Sequence, residues 1–539
     1  MLVPQSMAYA LLAGLPPQVG LYASILPLII YGLLGTSRTL AVGPVAIVSL
    51  LVASGITPLA EPGSAQYLQY ALVLALLVGI IQFGMGVVRL GFLVNFLSHP
   101  VISGFTSAAA IVIGFSQLKH LLGLSIPRTE HFYELLLYAG QHITESNLIA
   151  IGIGLGSIGI LLYFKYKLGS QLRRWGVADS LIIPITKSVP LVIVVLSTVL
   201  VWGMNLNGQA GIKIVGEVPA GLPSLTLPIL DLNLWQLLLP TALAISFVGY
   251  MESISVAKSL ASKRRQKVDA NQELVALGAA NLGATLTGGY PVTGGFSRSV
   301  VNFSAGANTG LASIITAGLI ALTVIFLTPL FYFLPQAVLA AIIIVAVFGL
   351  IDVATFKHVW RYNKADAASL LITFFAVLII GVEAGIVVGV IATILLFLWR
   401  TNRPHVAIVG RVGASETYRN VRRHQVKTCP HVIAMRIDES LYFANTKFLE
   451  DKVLCAIADR PEVKHLVLIG IAVNFIDASA LETLESLIDE LRDAGVQLHL
   501  AEIKGPVMDR LKTIGFVDKI GKDHIYMSTH EAMQALDCT

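Results

Sequence analysis

Gly288-Gly289-Tyr290-Pro291-Val292-Thr293-Gly294-Gly295-Phe296-Ser297-Arg298-Ser299 decides how this chain folds, together with Ala41-Val42-Gly43-Pro44-Val45-Ala46-Ile47-Val48-Ser49 far upstream. Both stretches are too broken by Gly and Pro to be full membrane spans, yet strongly apolar runs flank each of them. Irregular backbone at bilayer depth survives only where protein or a water-filled cavity satisfies its polar groups. A pair of such breaks in corresponding halves of a chain points to the binding site of a carrier built from internal repeats. The second break also carries Arg298, a cation that lipid does not tolerate. These features imply a membrane carrier for anions.

Composition leads to the same class. Of the 539 residues, 55% are hydrophobic and only 13% charged, where a soluble domain carries about 25% charge. The long apolar runs lie within residues 1–400, and the remainder reads as an ordinary soluble domain. The net charge of +5 fits loops that face a cytoplasm, with no nucleic-acid patch. Cys429, Cys455 and Cys538 show no metal-ligand spacing, and reduced thiols in a cytosolic domain are expected. No nucleophile–base–orienter set is visible, so neither an enzyme nor a bound cofactor or metal is expected. Met1 opens inside an apolar segment of about a dozen residues, roughly 18 Å as a helix. A hydrocarbon core is about 30 Å, so the first half of span one is expected to lie upstream of Met1.

Apolar stretches give spans near 2–13 (partial), 19–35, 44–55, 66–87, 99–117, 146–166 and 186–203. A second set follows near 236–260, 270–287, 293–304, 309–328, 333–351, 366–381 and 383–400. The third member of each set is the broken one, which predicts two repeats of seven. The connections on one side contain Arg38, Arg89, Lys165, Lys167, Arg173, Arg174, Lys263, Arg264, Arg265, Lys267, Arg361 and Lys364. The other side holds only Lys119, Arg128 and Lys213. That asymmetry marks cytoplasmic loops and puts the residues after Arg400 in the cytoplasm. Residues 401–427 read as a basic linker, and 428–539 as a small α/β domain of alternating strands and helices.

At the second break a short helix is expected to begin near Thr293, its free N–H groups and dipole aimed at an anion. Gly294 and Gly295 would let a ligand approach the main chain. The first break offers another helix start after Gly43, with Pro44 in its first turn. Arg298 stands beside both, and Glu252, within span eight, is its natural partner. The competing reading is a permanent salt bridge that only fixes helix packing. Two helix ends and Arg298 supply roughly two positive charges, and an ionised Glu252 would cancel about one. A dianion therefore binds best with Glu252 protonated, which suggests proton-coupled uptake. Gln5 and Tyr9 in span one offer further hydrogen bonds to an oxyanion. Glu273, near the start of span nine, reads as a helix-terminus charge. In the soluble part Asp477 or Ser479 is expected to cap a helix, with Ser479 as a candidate for regulatory phosphorylation.

Val3-Pro4-Gln5-Ser6-Met7-Ala8-Tyr9-Ala10, Gly14-Leu15-Pro16-Pro17, Gly20-Leu21-Tyr22 and Gly35-Thr36-Ser37-Arg38 closely resemble the SulP anion permeases, which include the solute carrier 26 members. Asn271-Gln272-Glu273-Leu274, Gly278-Ala279-Ala280-Asn281 and Gly295-Phe296-Ser297-Arg298-Ser299 continue the resemblance, and the C-terminal part is similar to a STAS domain. The family implies a polytopic α-helical fold of 14 segments in a 7+7 inverted repeat, the fold shared with nucleobase permeases. It further implies a core domain (spans 1–4 and 8–11) that carries substrate past a gate domain (spans 5–7 and 12–14), and a homodimer. By residue matching, Gln5, Tyr9, Val45, Ala46, Phe296, Ser297 and Arg298 would line the anion site. Sulfate uptake coupled to protons or sodium is the expected activity. Transport or exchange of bicarbonate, chloride or a dicarboxylate, or an uncoupled anion channel, is the alternative. The expected location is the plasma (inner) membrane.

Overall fold

The computed structural model describes residues 2–92, 98–124 and 132–538. Arg128, counted above among the outer charges, lies outside them. The chain divides into two compact units, Met1–Thr393 and Ile394–Thr539.

The first unit is helical, and its elements follow the two sets of seven. α1 (Leu2–Leu12) leads to α2 (Pro17–Tyr22) and α3 (Leu26–Leu34), two short helices in place of one span. Both begin with Pro in the first turn, where its missing N–H and fixed φ are harmless. The third segment is a two-residue strand, β1 (Val42–Gly43), followed by the half-length α4 (Ala46–Ile56). Then come α5 (Ala65–Val87), α6 (His99–Ser116), α7 (Leu118–Leu121), α8 (Phe132–Gln141) and α9 (Leu148–Tyr163). A π-helical turn, Phe164–Leu168, joins α9 to α10 (Gly169–Arg174), before α11 (Asp179–Gly203) and α12 (Leu206–Ala210).

The second set opens with α13 (Leu232–Lys263) and α14 (Ala270–Leu286), capped by the carboxylates of Asp231 and Asp269. Its third segment repeats the pattern of the first set: strand β2 (Thr293–Gly294), then the short α15 (Phe296–Ser304). α16 (Leu311–Phe326), α17 (Gln336–Val347), α18 (Val353–Tyr362), α19 (Lys364–Ile379) and α20 (Val382–Thr401) complete it. Among the described residues seven helices are long and apolar enough to cross a membrane by length and composition. The half helices α4 and α15 fall short of a span, as the Gly/Pro breaks require.

Glu273 shows how the polar groups inside this unit are satisfied. Its carboxylate is buried in the first turn of α14. It accepts hydrogen bonds from Tyr31 Oη (2.6 Å), Thr36 N (2.7 Å), Thr36 Oγ1 (2.6 Å) and Ser37 N (2.9 Å). A helix-terminus charge with four donors ties α14 to the chain after α3.

The second unit is a six-stranded mixed sheet with helices. Its strands are β3 (Val406–Arg411), β4 (Tyr418–Asn420), β5 (Val432–Ile437), β6 (His465–Ile469), β7 (Gln497–Ala501) and β8 (Ile525–Tyr526), in spatial order β4-β3-β5-β6-β7-β8. β5 through β8 run parallel, with α21 (Thr446–Ala458), α22 (Ala478–Asp493), α23 (Gly505–Thr513) and α24 (Phe516–Ile520) in the crossovers. The final helix is α25 (Thr529–Ala535). The stretch 401–427, expected as linker, supplies β3 and β4, and β3 pairs antiparallel with β5. Val406-Ala407-Ile408-Val409 is a strand-like run whose signal the surrounding arginines mask. The thiol expectation is also corrected. Cys429 and Cys538 form a disulfide with Cα atoms 5.7 Å apart, because α25 packs Ala532 and Met533 onto the same sheet face as Val432. Cys455 is free and exposed.

His499 on β7 is 2% exposed and lies between His465 Nδ1 (3.1 Å) and His524 Nδ1 (3.2 Å). Burial, then the neighbouring His524 and His465, push its pKa down to about 4. The unfolded chain, near 6.5, therefore takes up a proton that the folded state refuses between those values, and stability falls as pH drops through that window. Thermal unfolding of the full protein between about pH 7.5 and pH 4.5 should show this decline. The decline should be shallower in His499→Gln, which keeps hydrogen-bonding capacity without a titrating ring.

Candidate anion site

The two breaks meet. β1 and β2 pair antiparallel, with Val42 opposite Gly294 and Gly43 opposite Thr293, and Gly295 N donates to Ala41 O at 3.0 Å. Each strand leads straight into its half helix, so antiparallel pairing sends α4 and α15 away in opposite directions from adjoining starts. The residues before the helices, Val45 and Gly295, are extended, and neither caps its helix with a side chain. The N–H groups of Ala46–Val48 and Phe296–Arg298 accordingly have no intrahelical acceptor.

Small polar side chains lock this pair in place. Ser253 Oγ of α13 accepts from Gly294 N (2.8 Å) and bonds Thr293 Oγ1 (2.7 Å), which in turn donates to Gly249 O (2.6 Å). Ser299 Oγ accepts from Ala41 N (2.9 Å). Asn281 of α14 bonds both backbone groups of Val292, accepting from its N–H (2.8 Å) and donating to its carbonyl (3.1 Å). Asn281 also donates to Gln82 Oε1 (3.0 Å), and Ser49 bonds Tyr290 Oη (2.9 Å). Broken backbone inside this unit is thus paired by protein rather than left to lipid.

A cavity of about 480 Å³ opens at the junction. Gln5, Tyr9, Val45, Ala46, Glu252, Phe296, Ser297 and Arg298, all expected from the sequence, line it together. The opposite wall comes from α9, the π turn, α11 and α17, through residues such as Leu161, Lys165, Thr186 and Ile342. Gln5, Tyr9, Val45, Ala46 and Arg298 are buried, while Phe296 is 58% exposed.

Arg298 departs from expectation in its partner. Its Nη1 donates to Pro44 O at 2.8 Å, so the guanidinium bridges α15 to the backbone of the first break. Among the described residues no ion pair joins it to Glu252. Arg298 Nε and Nη2 and Glu252 Oε2 are buried without hydrogen-bond partners. The permanent salt bridge is therefore not formed: each side chain reaches the shared cavity on its own helix. A buried guanidinium with two unsatisfied donors is poised for an anion, since leaving such groups unpaired costs about 1–3 kcal/mol or more each. Two smaller expectations also change. Pro44 precedes α4 instead of opening it, and α15 starts at Phe296 because Thr293 and Gly294 belong to β2.

The glycines divide their roles. A Cβ on Gly295 would lie 2.8 Å from Arg298 Nη2, so its hydrogen leaves the seat of the guanidinium. Gly294 instead packs against Leu40. In the soluble unit Asp477 is the cap of α22, accepting from Ala480 N (2.8 Å), and it also accepts from Phe443 N (2.8 Å). Ser479 is left exposed in the first turn. Sequence reasoning gave Ser253, Gln82 and Tyr290 no hydrogen-bonding role at the breaks, because their residue types carry no such signal until the fold brings them there.

Known proteins fit this architecture. The sulfate permease family model matches residues 1–373, and the STAS domain model matches residues 423–532. "Probable sulfate transporter 4.2" of Arabidopsis thaliana is 38% identical over 549 residues, spanning 99% of this chain and 79% of the relative. "Sulfate transporter 4.1, chloroplastic" of the same plant is 37% identical, over 99% and 78%. Among solved structures, that of SLC26A9 superposes with a TM-score of 0.91 at 25% identity, covering 100% of this chain and 88% of that one. The transmembrane domain of the cyanobacterial bicarbonate transporter BicA shares the fold with a TM-score of 0.60 at 24% identity, over 73% of this chain and 94% of that domain. The chain belongs to the sulfate permease family, with the 7+7 inverted-repeat fold of the solute carrier 26 transporters and a STAS domain after its membrane unit.

Proposed function

We propose that this protein is a secondary active transporter of small inorganic anions, with sulfate as its first substrate and protons or sodium as the coupling ion. The observation that carries the reading is the paired breaks, which bring two uncapped helix starts and a half-satisfied guanidinium to one cavity. Each helix end is equivalent to roughly half a positive charge, so with Arg298 the site offers about two. Sulfate matches that charge with Glu252 neutral. The sulfate transporters among the relatives support the same substrate.

In this reading spans 1–4 and 8–11 carry the site as a core past a gate of spans 5–7 and 12–14. The cavity wall formed by α9, α11 and α17 belongs to that gate. The protein acts as a homodimer in the plasma (inner) membrane, with residues 428–539 in the cytoplasm and Ser479 open to a regulatory kinase. The Lys/Arg asymmetry of the loops supports the orientation.

Radiolabelled sulfate uptake into proteoliposomes tests this, with bicarbonate, chloride, fumarate and molybdate as competitors under imposed proton or sodium gradients. Saturable accumulation driven by one gradient is expected. Flux that persists with all cation gradients collapsed would make the protein a channel, and preference for a competitor would reassign the substrate. In the same assay Gly295→Ala should lower uptake about tenfold or more, since the added methyl displaces a guanidinium whose placement sets the site. Uptake equal to wild type in that variant would detach Arg298 from transport.

A further inference from the structure

Lys165 faces Arg298's cavity from the other wall and has no role in the site so far. Among the described residues lining the cavity, Lys165 and Arg298 are the cations and Glu252 the carboxylate. Lys165 sits on the π-helical turn Phe164–Leu168. Such turns insert an extra residue into a helix and are frequent at functional sites. Its side chain is exposed, and Nζ donates to Val345 O (3.3 Å) in the last turn of α17, 5.7 Å from the Tyr166 ring centroid. The bond to Val345 closes a carbonyl at a helix C-terminus, which any donor could do. A full charge beside an anion cavity is more than that bond needs.

We propose that Lys165 is an entry and specificity residue: its ammonium draws the anion into the cavity toward Arg298 and favours dianions over monoanions. The inference rests on the anion-transport reading. Attraction scales with the product of the charges, so a dianion gains twice what a monoanion gains. Low-dielectric walls focus such a field, and dissolved salt screens it over about 10 Å at 0.1 M.

The two roles of Lys165 separate by substitution. Lys165→Gln keeps a donor for Val345 O without charge, and Lys165→Arg keeps both. Sulfate and chloride uptake would be measured in proteoliposomes at about 0.02 M and 0.2 M ionic strength, where screening lengths differ about threefold. The Gln variant should raise KM for sulfate about fivefold at low salt and less at high salt, with kcat within about twofold of wild type. Its effect on chloride should be smaller, its thermal stability should match wild type, and the Arg variant should restore KM. An unchanged KM and salt response in Lys165→Gln overturns the proposal, as does an equal KM shift for chloride. A fall in kcat and stability that Arg does not rescue also overturns it, leaving Lys165 a packing residue. Wild-type protein that moves no anion removes the transport reading itself, and this inference with it.

Discussion

Arg298→Ala should lower kcat/KM for sulfate by about a hundredfold or more, because it removes two buried charge-assisted donors that have no protein partner and line the cavity. The guanidinium reaches Pro44 O with one nitrogen and leaves Nε and Nη2 without protein partners in a buried setting. An anion between the starts of α4 and α15 would take those donors together with main-chain N–H groups. Arg298→Lys keeps the charge but loses the planar fork and the bridge to Pro44, and a loss of about tenfold is expected. Sulfate uptake by protein that elutes as a single folded species checks both variants. If Arg298 only fastened α15 to the first break, the Ala variant would fold poorly while its folded fraction bound sulfate with wild-type affinity.

Glu252→Gln should uncouple transport from pH. Glu252 lies on α13, lines the same cavity, and has one carboxylate oxygen buried without a partner. When ionised it cancels about one of the two positive charges at the site. Sulfate binding in the wild type should therefore strengthen as pH falls through the titration of Glu252 and weaken as pH rises. Gln, fixed in the neutral form, should bind sulfate at all pH values as the wild type does at low pH. It should also lose accumulation against a gradient while retaining sulfate–sulfate exchange. A variant that keeps the wild-type pH slope and accumulation would remove Glu252 from coupling.

Much of this arrangement is legible in the amino-acid sequence. The breaks at 41–49 and 288–299 announced themselves because clustered Gly and Pro interrupt each apolar run before it is long enough to span a bilayer. The short β1–β2 pair was not legible, since two-residue strands carry no alternation to read. Arg298 and Glu252 both line the cavity, but no ion pair joins them. Residue type tells which groups are hard to bury, not which acceptor a helix start will present, and here it was the carbonyl of Pro44. The π turn at 164–168 is invisible in hydropathy, so Lys165 read as one more loop charge. α18, short and amphipathic, was read as part of the connection between the runs at 333–351 and 366–381 for the same reason. In the soluble unit β5, β6 and β7 followed from their apolar runs, whereas the two-residue β8 carried no signal, β3 was hidden among arginines and the Cys429–Cys538 bridge depended on where α25 folds back.

Direct imaging of the bound anion tests the central claim most simply. A structure of the protein with selenate, an isostere of sulfate with anomalous scattering, should place the ion within hydrogen-bond reach of Arg298 Nε or Nη2 and of N–H groups in Ala46–Val48 or Phe296–Arg298. Selenate density elsewhere, with that cavity holding only water at saturating concentration, would contradict the account.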